Sequence, residues 1–245
     1  MANSRSISNS PDIEWNWEKT NYLPSWHEPI YELMARYVKP NSKVLEVGAG
    51  GSHTIAALAG RMNCEAFGIE PDEGGIRKTL ELAKVEASTL TMIKGDGFML
   101  PFGSNEFDTV YSLGLIEHFA PGDSKELLKE HWRVCRPGGT LIVAVPNLFN
   151  FPHSFRKALL GSSYEYYPER SYRPAVLRRI VEAAGCRTKA VDGVSPLWGL
   201  SMFGKGWMLI SILKKLGVLE RLEHMKSPKH RSWAGYMTYV IAEKN

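Results

Sequence analysis

Between Glu46 and Ser52 the chain runs Glu-Val-Gly-Ala-Gly-Gly-Ser, an acid two residues ahead of the first of three glycines. A short apolar stretch over 43–47 leads into it and an amphipathic stretch over 53–62 follows, so glycine stands where a strand turns sharply into a helix and the backbone can approach a ligand closely. That placement predicts a nucleotide-like ligand. The dinucleotide fingerprint G-x-G-x-x-G is not met, because His53 stands where its third glycine belongs. Glu46 would repel a pyrophosphate and suits a ligand that carries an ammonium group.

Two further acids follow at telling positions. Glu70, before Pro71 and 20 residues after Gly50, has the separation expected of a carboxylate that holds ribose hydroxyls. In Gly95-Asp96-Gly97, Asp96 can accept from an adenine amino group while Phe98 or Met99 covers the ring. Each acid alone reads equally as a solvated turn residue. At the carboxyl ends of three successive strands of one sheet, they converge on one crevice. S-adenosylmethionine, with its α-amino group, sulfonium, ribose and adenine, fits that set of groups.

The elements that must position these residues are legible in the periodicity. Short apolar runs over 43–47, 64–70, 89–94, 107–113 and 140–145 read as strands buried on both faces. Longer amphipathic stretches near 53–62, 73–86, 123–135 and 174–184 read as helices between them. That alternation makes the fold class α/β, a parallel sheet covered by helices. The last apolar run, over 235–243, follows a break in the alternation and is expected to pair antiparallel at the sheet edge. The expected organisation is an N-terminal tail with an aromatic lid over 1–40, a core over 41–195, a helical addition over 196–234 and a final edge strand over 235–245.

Composition bounds the rest. The 245 residues suffice for one domain with a substantial core. With 44% hydrophobic and 23% charged residues the chain is neither disordered nor fibrous. Thirty basic against 26 acidic side chains leave +4, too mild to predict a nucleic-acid partner. Three scattered cysteines, Cys64, Cys135 and Cys186, suggest neither a disulfide framework nor a metal site, which fits a cytoplasmic setting. The polar N-terminus has no apolar core like that of a secretory signal, and no run is long enough to span a membrane.

From about 27 to 147 the chain resembles the class I S-adenosylmethionine-dependent methyltransferases. The resemblance is carried by Val44-Leu-Glu-Val-Gly-Ala-Gly50, Gly68-Ile-Glu-Pro-Asp72, Gly95-Asp-Gly-Phe-Met-Leu-Pro-Phe102, the stretch Phe107-Asp-Thr-Val-Tyr-Ser-Leu-Gly-Leu-Ile-Glu-His-Phe119 and Arg136-Pro-Gly-Gly-Thr-Leu141. It implies a Rossmann-like seven-stranded, mostly parallel sheet with an antiparallel final strand and helices on both faces. It also implies that Glu46, Gly48 and Gly50 form the methionine-side loop with Ser52, and that Glu70 with Pro71 holds the ribose. Asp96, Gly97 and Phe98 would frame the adenine, and Leu113 and Gly114 would line the floor. Ser52 stands where the family often has a third glycine, and serine can cap the helix that follows.

Methyl transfer needs alignment of the acceptor more than it needs a catalytic group. Where the acceptor is a phenol, hydroxyl or amine a base helps, and His118 is the candidate. Enzymes acting on base or glutamine amino groups resemble Asn/Asp-Pro-Pro-Tyr after the fourth strand. Here the chain has Ser112-Leu-Gly-Leu115, and Ile116-Glu-His-Phe119 is similar to the branch that includes quinone-biosynthesis and natural-product methyltransferases. The expected acceptor is a small molecule, with Tyr22 and Trp26 as a lid and His153, Tyr166, Tyr167, Arg170 and Tyr172 around it. An amphipathic stretch over 207–222 offers a core helix, a dimer contact or a peripheral lipid contact, leaving monomer and homodimer both open. Two other functions stay open at this point: an RNA or protein methyltransferase, and a non-catalytic protein that kept the cofactor fold.

Overall fold

A computed structural model describes residues 24–164, 168–194 and 235–245, with 208, 212, 213 and 215–218 besides; residues 24–26 are described by backbone alone. Along the chain come α1 (Pro24–Met34), β1 (Lys43–Val47), α2 (His53–Met62), β2 (Glu65–Glu70), α3 (Glu73–Val85), β3 (Thr91–Lys94) and β4 (Phe107–Leu113). After a 3-10 turn, Ile116–His118, follow α4 (Pro121–Val134), β5 (Cys135–Pro146), α5 (Phe151–Leu160), a second 3-10 turn at Gly161–Ser163, α6 (Pro174–Ala183), β6 (Thr188–Val194) and β7 (Met237–Glu243).

The seven strands lie in the order β3-β2-β1-β4-β5-β7-β6. β1 to β5 run parallel, and β7 pairs antiparallel with both β5 and β6. This is the Rossmann-like, mostly parallel sheet with an antiparallel final strand. Side-chain alternation splits the core into two layers. Leu45, Val47, Val110, Leu141 and Val143 pack with Leu127 and Leu128 of α4 and Leu177 and Val181 of α6. Val44, Tyr111, Ile142, Ala144 and Tyr239 pack on the other face with Leu33 and Met34 of α1 and Ile55 and Leu58 of α2. Helices therefore cover both faces, as period-two alternation of a doubly covered sheet requires.

Several expectations need correction. The final strand is not at the edge: β7 is inserted between β5 and β6, and Met237 to Ala242 are all buried. A strand hydrogen-bonded on both sides can be apolar throughout, and the edge falls to β6, whose exposed Lys189 and buried Asp192 keep it from reading as a strand. β3, the other edge, is only partly buried, unlike the central strands. β5 starts at Cys135, earlier than the run over 140–145, because its pairing with β4 resumes across a register shift between Phe107 and Thr109. The stretch after β5, where the periodicity places no helix before 174, contains α5, started by Asn150, whose side chain accepts from the His153 amide at 3.3 Å, and by Pro152 in its first turn. Most of the expected addition over 196–234, and residues 1–23 of the expected tail and lid, lie outside the described residues.

Candidate functional site: a glycine turn between two buried carboxylates

The turn after β1 is held from three sides. The Gly48 and Ala49 amides donate to the Ile69 carbonyl at 2.9 and 3.0 Å, tying it to β2, and the Gly51 amide donates to the Gly75 carbonyl of α3 at 3.2 Å. Thr79 Oγ1 of α3 accepts from the Ser52 amide at 3.0 Å and donates to the Ala49 carbonyl at 2.6 Å. Gly48 has φ +75°, where a side chain is strained, and a Cβ there would lie 2.8 Å from Leu115 Cδ1. Ser52 caps α2, its Oγ accepting from the Ile55 amide at 3.4 Å. His53, in place of a glycine, begins α2 and bonds Glu86 at 2.8 Å.

Glu46 is 2% exposed and turned inward. Its Oε2 accepts from Ser52 Oγ at 2.6 Å and from the Tyr111 hydroxyl at 2.9 Å. Burial pushes its pKa up to about 7, the two hydrogen bonds oppose that rise, and the nearby Glu70 adds to it. Glu70, 5% exposed, is likewise raised to about 7, chiefly by burial; the Asp72 and Gly50 amides that donate to it pull the other way. Among the described residues neither acid has a cationic partner in an ion pair. Two desolvated carboxylates, each close to half-ionised at neutral pH, are an arrangement that a bound cation would relieve.

Beside the turn, between β1, β2 and β3 on one side and α4 on the other, opens a cleft of about 310 Å³. Val47, Gly48, Ile69, Pro71, Lys94, Gly95, Asp96, Gly97, Phe98, Leu115, Phe119 and Leu127 line it. Its walls are mainly apolar, and Phe98 meets Phe119 edge-on at 5.1 Å. Gly97 is needed for width, since a Cβ there would lie 2.8 Å from Val47 and 3.0 Å from Leu127. The flat apolar slot with one carboxylate at its rim suits a purine ring. Asp96 keeps its Oδ1 on the Phe98 amide at 2.9 Å. A wider surface groove on α4 is closed in on itself, Lys129 pairing with Glu126 and Arg133 with Glu130.

Of the residues expected at the cofactor, Gly48, Pro71, Asp96, Gly97 and Phe98 line this cleft, while Glu46, Gly50, Ser52 and Glu70 form or flank the turn behind it. Leu113 and Gly114 are not part of its wall; Gly114, at φ +74°, turns the chain so that Leu115 enters instead. Met99 is 78% exposed and leaves the ring-covering place to Phe98. Sequence reasoning missed Tyr111, which stands opposite Glu46 in the β1–β4 register.

The 168–172 segment closes over the 3-10 turn on the far side. The Pro168 carbonyl pairs with His118 Nδ1 at 2.9 Å, and the Arg170 amide donates to the Glu117 carbonyl at 3.1 Å. The carbonyl only accepts, so Nδ1 carries the proton, and burial lowers the pKa and keeps the ring neutral. His153 is fully buried with its Nε2 at 2.9 Å from the Tyr164 hydroxyl, and Tyr172 is buried beside β5, bridged to Asn147. Both hold the segment onto the sheet, and neither lines the cleft. Tyr22, Tyr166, Tyr167 and the Trp26 side chain lie outside the described residues.

Glu117 was not anticipated. It is 1% exposed, its Oε2 has no hydrogen-bond partner among the described residues, and burial followed by the proximity of Glu169 holds its carboxyl well above the usual range. A group protonated more readily in the fold than unfolded favours the fold at low pH and loses that contribution as pH rises. Glu117→Gln is therefore expected to match the wild type in melting temperature near pH 4 and to exceed it by a margin that grows as pH rises above 4.5, with thermal melts from pH 4 to pH 9 as the check.

Residues 45–143 match a family model described as a methyltransferase domain. Over that stretch, less than half of its length, the chain is similar to methyltransferase domains. The chain is similar to cycloartenol-C-24-methyltransferase 1 of Oryza sativa subsp. japonica, 33% identical over 126 residues, which are 51% of this chain and 36% of that protein. It is similar also to demethylmenaquinone methyltransferase of Corynebacterium glutamicum, 33% identical over 141 residues, 54% of this chain and 56% of that one. The chain thus spans between about a third and just over half the length of these curated relatives. A solved structure, the PH0226 protein of Pyrococcus horikoshii OT3, has the same fold with a TM-score of 0.63 at 19% identity, covering 94% of each chain. Among the described residues no three His, Cys, Asp or Glu side chains could hold a metal, and no helix is long and apolar enough to cross a membrane.

Proposed function

We propose that the chain transfers a methyl group from S-adenosylmethionine to a lipophilic small-molecule acceptor. The observation that carries this reading is the pair of buried carboxylates, Glu46 and Glu70, held without a cationic partner among the described residues on either side of a glycine turn that opens on an apolar cleft. The named relatives, which act on a sterol precursor and on demethylmenaquinone, support the class of acceptor.

The cofactor would supply an activated methyl group on a sulfonium, leaving S-adenosylhomocysteine after in-line displacement. In this reading Gly97, Phe98, Leu115 and Phe119 hold the adenine and keep water from it, Asp96 accepts from its amino group, and Glu70 accepts from the ribose hydroxyls. Glu46, steadied by Ser52 and Tyr111, supplies negative charge at the methionine end. His118, neutral in its Nδ1 tautomer, is the proposed base for an acceptor that must lose a proton. Tyr22, Trp26, Tyr166, Tyr167 and Arg170 are assigned to the acceptor from the sequence alone. The three buried thiols, none in a disulfide, suit the proposed cytoplasmic setting.

Calorimetry with S-adenosylhomocysteine is expected to give micromolar binding, and labelled methyl donor offered with a panel of sterols, quinols and phenols is expected to yield label in the organic extract. Absence of cofactor-product binding would overturn the reading. Binding with label passing only to RNA or protein would move the acceptor to a different class.

A further inference from the structure

Helix α5 turns its apolar residues outward. Phe151, Phe155 and Leu159 recur every four residues, and they are 74%, 49% and 71% exposed, while the buried position of the helix is taken by His153. In a helix built only to pack, that row would face the core. Phe151 stacks on Phe155 at 5.7 Å, and the patch continues through Leu148 and Phe149, with the Arg173 guanidinium 5.9 Å above the Phe149 ring. The same spacing and exposure recur at Met208, Ile212 and Leu216.

The charge of the chain is concentrated around these residues. Residues 147–181 hold six basic and two acidic side chains and 195–234 hold seven and two, against seventeen and 22 in the remainder. No acid lies within α5; its Lys157 pairs with Glu169 at 2.9 Å and its Arg156 lies over the Tyr164 ring, so the exposed cation beside the row is Arg173. The rest of the chain is thus net acidic and the segments bearing exposed apolar rows are net basic. An aromatic and aliphatic row flanked by cations is what settles at the interface of an anionic bilayer, where rings enter the headgroup region and cations meet phosphates.

We propose that α5, with Leu148, Phe149 and Arg173, docks this protein on an anionic lipid membrane. A second copy seated on the row by a two-fold axis would bring the exposed Arg173 beside Phe149 toward its own counterpart, which charge repulsion opposes. RNA would meet the cations and leave the exposed apolar row in water. Only four residues separate the end of β5 from the start of α5, so docking brings the carboxyl end of the sheet, where the proposed cofactor turn lies, toward the membrane surface. The proposal does not depend on methyl transfer, because vesicles bind or fail to bind without cofactor.

The test is flotation of the full chain with vesicles of phosphatidylcholine containing about one third phosphatidylglycerol, beside vesicles of phosphatidylcholine alone. Binding is expected on the anionic vesicles, at least about tenfold weaker on the neutral ones, and falling several-fold when salt is raised. The double variant Phe151→Ser, Leu159→Ser is expected to bind at least about tenfold more weakly with an unchanged melting temperature, because both side chains are exposed. Val85→Ser, which removes a side chain 78% exposed on α3, is expected to bind as the wild type does. No flotation on anionic vesicles, or equal flotation of the double variant, would overturn the proposal. So would light scattering showing a dimer that the double variant abolishes, since the row would then be closed by a second copy.

Discussion

Glu46→Gln is expected to weaken binding of S-adenosylhomocysteine by about ten- to a hundredfold in calorimetry, the range for losing a charge-assisted hydrogen bond. The larger signature is in the pH dependence. Glu46 and Glu70 both sit at about 7 in the cofactor-free fold, raised first by burial. A cation at the methionine end favours the ionised form, so binding releases protons and affinity rises with pH until it levels off above 7. The two carboxyls interact and titrate as a unit. Removing one flattens the slope by about one proton.

The same substitution has the opposite sign on the empty protein. A carboxyl at about 7 in the fold against 4.5 in the open chain favours folding below 4.5, and the contribution is lost between 4.5 and 7, amounting to about 3 kcal/mol. Above pH 7 the cofactor-free Glu46→Gln protein is therefore expected to melt no lower than the wild type, and higher if Gln still accepts from Tyr111. A variant that bound weakly because it folded badly would melt lower. The pairing of weaker binding with equal or greater stability identifies Glu46 as a residue strained for a ligand.

Some of this was legible in the sequence because the signal is local. β1 and α2 have the bounds the periodicity predicts, with Ser52 at the cap, since alternation and a capping hydroxyl lie within a few residues. The turn, Glu70 and Asp96 were readable for the same reason. What failed is what the sheet decides. β7 is apolar enough to be seen, yet its place between β5 and β6 depends on which strands meet it, and β6 is obscured by Lys189 and Asp192. Tyr111 becomes the partner of Glu46 only in the β1–β4 register. Leu115, Phe119 and Leu127 are ordinary apolar residues until α4 and the 3-10 turn stand them at the cleft. α5 escaped because its apolar row faces outward, so it does not read as part of the layered core.

Gly48→Ala separates two reasons for a glycine at one position. At φ +75° an L side chain is strained by about 1 kcal/mol, and the new methyl would also meet Leu115 Cδ1 at 2.8 Å. The second conflict can be relieved, because Leu115 ends in a flexible isobutyl group, but the direction of relief matters. Leu115 lines the cleft, so a displaced side chain narrows the slot proposed for adenine. Gly48→Ala is therefore expected to lower stability by about 1 to 2 kcal/mol and cofactor-product affinity by about tenfold. Adding Leu115→Ala removes the clash and leaves the backbone strain. The double variant is expected to regain most of the affinity lost at Gly48 relative to Leu115→Ala alone, while the stability cost at Gly48 persists, as a double-mutant cycle in calorimetry and denaturant melts would show. Equal loss of affinity on both backgrounds would mean that the amide geometry of the turn, rather than the width of the cleft, requires the glycine.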